Sequence, residues 1–176
     1  VVPDNVTVIG ESAFDNCTGL KSVTIGSGVT TMGYSAFNGC TGLTEINYNA
    51  KRIEEVQHAF ENAGTSSGEF DVIFGKSVEK IPNYIFDGCA AMTCVTIGSN
   101  VTSIGDSAFR DCVRLTIINY NAKEVTNIEG WSDIFKNAGE SSNKLKVVVG
   151  DSVEKIPGYL FKDCTGLTNV DIPDNV

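Results

Sequence analysis

The stretch that decides the fold is Val101-Thr102-Ser103-Ile104-Gly105-Asp106-Ser107-Ala108-Phe109-Arg110-Asp111-Cys112-Val113-Arg114-Leu115-Thr116-Ile117-Ile118-Asn119-Tyr120. Its apolar residues follow two different periods. Ile118-x-Tyr120, like the β-branched Val23-x-Ile25 of an earlier stretch, has the period of two of a short strand whose alternate side chains point inward. Val101-x-x-Ile104-Gly105 reads as a second extended edge. Between them, Ala108-Phe109-x-x-Cys112 spaces its apolar residues by three to four, which suits a single helical or 3₁₀ turn. In other units the Gly26-Ser27-Gly28, Gly75-Lys76-Ser77 or Gly98-Ser99-Asn100 that follows the strand is a turn.

This phrase is repeated along the whole chain. Phe14, Phe37, Phe60, Phe86, Phe109, Phe135 and Phe161 are spaced by 23, 23, 26, 23, 26 and 26 residues. The first unit runs Val6, Ile9, Ala13, Phe14, Cys17, Leu20, Val23, Ile25, and the fourth Val78, Ile81, Ile85, Phe86, Cys89, Met92, Val95, Ile97. Units three and six differ. Each places Ala63 or Ala138 where the others carry Cys, continues through a polar stretch (Thr65 to Glu69, Glu140 to Lys144), and rejoins the pattern at Phe70-x-Val72-x-Phe74 or Leu145-x-Val147-x-Val149. Units one to three and four to six therefore form a super-repeat of three. Asn47-Tyr48-Asn49-Ala50-Lys51 returns as Asn119-Tyr120-Asn121-Ala122-Lys123, and Ser77-Val78-Glu79-Lys80-Ile81-Pro82 as Ser152-Val153-Glu154-Lys155-Ile156-Pro157.

No single unit can bury its apolar side alone. Seven of them, stacked at roughly 4.8 Å per coil, build one continuous core about 30 Å long. The chain is thus expected to be one solenoid over residues 1–176, of about seven units of 23–28 residues. Because it opens and closes at the same phase of the pattern, it reads as a segment of a longer array. The unit Leu-x-x-Val-x-Ile followed by Val-x-x-Ile-Gly-x-x-Ala-Phe-x-x-Cys resembles the BspA-like leucine-rich repeats of bacterial and some protist surface proteins. That resemblance implies an α/β repeat solenoid. It would be a right-handed superhelix with short parallel strands on a concave face, and extended segments and short helical or 3₁₀ turns on the convex side. It also implies an extracellular or cell-surface location and a non-enzymatic role in adhesion to host or neighbouring-cell proteins, with extracellular-matrix proteins among the partners.

Composition and spacing exclude several chemistries. A formal charge of −9 leaves no basic surface to displace counterions from a nucleic acid. No apolar run approaches membrane length, so membrane insertion of this segment is not expected. Five cysteines (Cys17, Cys40, Cys89, Cys112, Cys164) share one repeat phase at intervals of 23 residues or more, whereas a zinc site wants close pairs converging on a point. Ala63 and Ala138 at that phase favour buried thiol fillers over neighbour-pair disulfides or a metal. His58 is the only histidine, at a phase that is Ser or Tyr in five of the other six units, and reads as an exposed convex residue. Carboxylate pairs such as Glu54-Glu55 read as solvated face residues. No catalytic residue, cofactor or metal is expected.

The informative residues face outward and break the repetition. Alternation places Ile73, Cys94, Ile117 and Val148 on the outer sheet face of four consecutive coils, where other coils carry polar residues. Contiguous exposed apolar residues of this kind are candidate protein contacts. Tyr48 and Tyr120, at the phase of Ile25, are expected to fill the core. Trp131 lies in a three-residue insertion of unit six, either covering a local gap or standing as an exposed anchor. A protein-binding module is the first reading. A structural spacer holding another domain away from the cell envelope is the alternative, and the apolar coil ends allow end-to-end self-stacking.

Overall fold

The computed structural model describes residues 1–176 apart from 54–55, 127 and 129–131, so Glu54-Glu55 and Trp131 lie outside the described residues. The chain winds into a parallel β-solenoid of about seven turns. Seven strands, one per coil, form a single parallel sheet: β2 (Ser22–Ile25), β4 (Glu45–Tyr48), β5 (Asp71–Phe74), β7 (Cys94–Ile97), β9 (Ile117–Tyr120), β10 (Leu145–Val149) and β11 (Leu167–Asp171). Two-residue strands make a second, interrupted edge: β1 (Val8–Ile9) pairs with β3 (Thr31–Met32), and β6 (Lys80–Ile81) with β8 (Ser103–Ile104). The sheet is in register with the repeat. Val23 pairs with Ile46, Ile46 with Val72 and Val72 with Val95. Each coil thus repeats the inward and outward choice of its neighbour.

The core runs unbroken between these edges. Tyr48 and Tyr120 are fully buried in it, as their phase predicts. Its central element is a ladder of the repeat phenylalanines. Successive rings from Phe14 to Phe161 stack at centroid separations of 4.9, 5.1, 4.9, 6.0, 4.8 and 5.5 Å. The rings are within 7° of parallel in four of these six steps. One ring per coil, at the same phase and in parallel register, leaves offset stacking as the packing for each.

The segment around each phenylalanine corrects one expectation. It is a string of turns, and among the described residues there is no helix. Coil two shows why. The N–H groups of Ser35, Phe37 and Gly39 donate to the carbonyls of Gln57, Ala59 and Glu61 in the next coil (3.3, 2.8 and 2.9 Å). The intervening N–H groups of Asn38 and Cys40 donate three residues back, to Ser35 and Phe37 (3.1 and 3.3 Å). Three of these five donors therefore join coils and the other two close local turns, which satisfies the backbone in a way that no helix could. The alternation requires left-handed residues on either side of the ring, Ser35 at φ 53° and Gly39 at φ 64°. In other coils the pair is Ser12 and Asn16, His58 and Asn62, Tyr84 and Gly88, Ser107 and Asp111, or Tyr159 and Asp163. Asn, Asp and Gly tolerate that region best, which explains their recurrence two residues after the phenylalanine.

All six cysteines are free thiols. Cys40, Cys89 and Cys112 are buried fillers, and the Sγ of Cys40 and of Cys112 donate to the carbonyls of Phe14 and Phe86 in the preceding coil (3.1 and 3.3 Å). Burial pushes the Cys40 and Cys89 thiols up to about 11 and about 12. Cys17 departs from the expected buried position. It is exposed, and Cys164 is half-buried.

Candidate functional site

The outer face of the sheet carries two rows of side chains, one from each outward position of a strand. The register aligns Asp71, Cys94, Ile117 and Lys146 in the first row. It aligns Ile73, Thr96, Asn119 and Val148 in the second. The expected apolar residues therefore do not form one strip. Cys94 and Ile117 are direct neighbours in the first row, while Ile73 and Val148 sit on the strands flanking them, in the second. Ile73 and Ile117 are 38% and 40% exposed, and Cys94 and Val148 are half-buried. The two polar positions between Ile73 and Val148 close on each other, with Asn119 Nδ2 donating to Thr96 Oγ1 at 3.2 Å.

Asp71, Cys94 and Ile117 of the first row lie in the floor of a groove of about 660 Å³ that crosses the beginnings of β5, β7 and β9. Its floor is Asp71, Thr93, Cys94, Thr116 and Ile117. Its two ends are the polar stretches that set units three and six apart: Gly68-Glu69 on one side, and Ser141, Ser142 and Lys144 on the other. Both stretches dock by the same bonds. Gly64 and Ser66 donate backbone N–H groups to the carbonyls of Cys40 and Thr41 (3.2 and 2.9 Å), and Gly139 and Ser141 to those of Cys112 and Val113 (3.1 and 2.9 Å). The Asn-Ala-Gly that opens each stretch is required here. Gly64 and Gly139 both lie at φ +71°, and a Cβ on Gly64 would come within 2.7 Å of the Phe70 ring.

Threonine hydroxyls stiffen the floor. Thr116 Oγ1 donates to the Thr93 carbonyl at 3.0 Å, and Thr93 Oγ1 accepts from the Phe70 N–H at 2.8 Å. Arg114 reaches back across two coils to donate to the Gly68 carbonyl at 3.1 Å. Burial and the neighbouring Asp71 carboxylate raise the pKa of the Cys94 thiol, against a smaller lowering by Thr96. Cys94 is accordingly held as a thiol, a soft apolar contact and a poor nucleophile at neutral pH. The groove offers apolar contact flanked by charge and holds no activated group.

The opposite corner differs. A cavity of about 400 Å³ is lined by Gln57, His58, Tyr84, Asp87 and Arg110. Arg110 grips Asp87 through two bonds (2.8 and 2.5 Å), His58 Nδ1 lies 3.1 Å from Glu61, and the Tyr84 hydroxyl donates to Asp106 at 3.1 Å. His58 is exposed, as its repeat phase predicts. These charges are engaged with one another, which leaves that corner less to offer a partner than the groove.

Sequence reasoning identified Cys94 and Ile117 but missed Glu69, Arg114 and Lys144. The signal was present, since the two polar stretches stood out as breaks in the repeat. What periodicity alone does not reveal is that stretches three coils apart enclose the two coils between them.

The family profile described as BspA type Leucine rich repeat region matches in six copies, over residues 1–67 and 57–176. Among solved structures, the leucine-rich-repeat protein of T. pallidum is similar at 27% identity and a TM-score of 0.64, covering 93% of this chain and 72% of that one. A leucine-rich-repeat protein from Bacteroides ovatus shares the fold at 18% identity and a TM-score of 0.50, covering 99% of this chain and 66% of that one. No curated protein matches the sequence. Among the described residues, no helix is long and apolar enough to cross a membrane.

Proposed function

We propose, since this chain belongs to the BspA-type leucine-rich-repeat family, that its outer sheet face is a protein-binding surface and that the protein acts by adhesion rather than catalysis. The observation that carries this reading is the groove. Two coils depart from the polar outer face to present Cys94 and Ile117, and the two irregular coils of the chain enclose them. An exposed apolar floor with a polar rim is the composition of a contact surface. A cell-surface or secreted location, and extracellular proteins of a host or neighbouring cell as partners, accord with the family. The spacer reading is supported by the uninterrupted phenylalanine ladder, which would serve a stiff stalk equally well.

The test is a binding screen against immobilised extracellular-matrix proteins with wild type, Ile117→Asp and Ile73→Asp. Both side chains point outward, so the variants should fold, as checked by circular dichroism. Loss of at least tenfold in affinity for Ile117→Asp supports the groove. Unchanged binding by both folded variants refutes it, and absence of any matrix-protein binding favours the spacer.

A further inference from the structure

The super-repeat provides an internal comparison. Glu69 and Lys144 occupy equivalent positions of the two polar stretches, as do Asp71 and Lys146 of the strands that follow. Some structural positions elsewhere are kept, although Glu61 and Lys136, outside the groove, are also of opposite charge. Lys51–Glu79 and Lys123–Glu154 are the same ion pair in both copies, each at 3.0 Å, and Asn47 and Asn119 are unchanged. At the groove the charges are inverted. The floor changes too, since Cys94, Ile117 and Arg114 are the equivalents of Ser22, Glu45 and Gly42.

These differences make the groove bipolar. The first row runs acid, apolar, apolar, base, from Asp71 through Cys94 and Ile117 to Lys146, which adjoins the groove on the next strand. Glu69 adds to the acidic end and Lys144 to the basic end. Each end is partly offset, by Arg114 at the first and by the Lys146–Asp171 pair at the second, and each keeps a net charge of its own sign. Three strand spacings separate Asp71 from Lys146, about 14 Å. An extended peptide rises about 3.4 Å per residue, so side chains four apart span that distance on one face, with the residue midway on the same face.

We infer that the groove accepts an extended polypeptide segment laid across the coils, with a basic side chain at the coil-three end, an acidic one four residues away at the coil-six end, and an apolar residue between them over Cys94 and Ile117. The inference rests on the protein-binding reading and adds the chemistry of the partner. Opposite charges at the two ends select such a segment over one with like charges, because one end would then face repulsion.

The test uses four capped peptides with the cores Lys-Ser-Val-Ser-Glu, Glu-Ser-Val-Ser-Lys, Lys-Ser-Val-Ser-Lys and Glu-Ser-Val-Ser-Glu, titrated into the 176-residue protein by NMR at low salt. At least one mixed-charge peptide should bind about tenfold more tightly than either like-charged one, with shifts at Cys94 and Ile117. The double variant Lys144→Glu/Lys146→Glu, acidic at both ends, should instead prefer the dibasic peptide. Equal ranking of all four by wild type, an unchanged ranking in the double variant, or no binding by any peptide overturns the inference. None of these results touches the matrix-protein screen, so the broader reading stands or falls separately.

Discussion

Substitution within the phenylalanine ladder should cost stability according to the number of ring neighbours lost. Phe109 is fully buried and meets three rings: Phe86 at 6.0 Å, Phe135 at 4.8 Å and Phe74 edge-on at 5.9 Å. Phe14, in the first coil, is 36% exposed and stacks on Phe37 at 4.9 Å. An aromatic pair is worth about 0.5–1.5 kcal/mol beyond the area it buries. Phe109→Leu keeps most of the volume and forfeits three such pairs, so it should destabilise by about 2–4 kcal/mol. Phe14→Leu forfeits one, partly at the surface, and should cost about 1 kcal/mol. Urea unfolding followed by far-UV circular dichroism reads the difference. With a slope of about 2 kcal/mol per molar, the Phe109→Leu midpoint should fall by about 1–2 M and the Phe14→Leu midpoint by about 0.5 M. A broadened transition would mark loss of cooperativity between the coils on either side of the lesion. Equal costs at the two positions would refute the ladder as a stabilising unit.

Three further outcomes follow from the same packing. At pH 8 a thiol reagent should label Cys17 at once and Cys94 slowly, reach Cys40, Cys89 and Cys112 only on unfolding, and count six in denaturant without reductant; fewer than six would contradict the free-thiol packing. Burial also sets an alkaline limit. Cys40, Cys89 and Cys164 have folded pKa values raised to about 11, about 12 and about 11. Above the ordinary thiol value near 9 the unfolded chain sheds protons that the folded chain keeps. Stability is therefore whole below about pH 8.5 and declines as pH rises towards 11–12, a slope that Cys89→Ala should flatten in urea titrations across that window. Gly64→Ala, which forces a Cβ against the Phe70 ring at φ +71°, should destabilise by about 1–3 kcal/mol, whereas Gly68→Ala, with nothing within 4 Å of its Cβ, should stay within about 0.5 kcal/mol.

The strands were legible in the sequence because their information is local. Val23-x-Ile25 and its equivalents alternate, and β2, β4, β5 and β7 follow them. The phenylalanine phase was legible as a repeat, although parallel register is needed to turn equal spacing into stacked rings. The segment from Ala36 to Cys40 was misread as a helical or 3₁₀ turn for a physical reason. Spacing of three to four suits a helix and a chain of turns alike, and only the next coil's carbonyls, which accept from Ser35, Phe37 and Gly39, decide between them. The outward residues Cys94 and Ile117 were legible by alternation, but the groove was not. It depends on Gly68-Glu69 and Ser141–Lys144 standing at either side of them, a contact across coils. The opposite charges of Glu69 and Lys144 at matching positions were the available clue.

The most direct test of the central claim is hydrogen–deuterium exchange of the protein alone and saturated with a matrix protein captured in the screen. The groove account predicts slowed exchange at the starts of β5, β7, β9 and β10 and in residues 66–69 and 141–144. Exchange should be unchanged around Tyr84 and Arg110 on the opposite corner. Protection confined to that corner, with the groove untouched, would contradict the account.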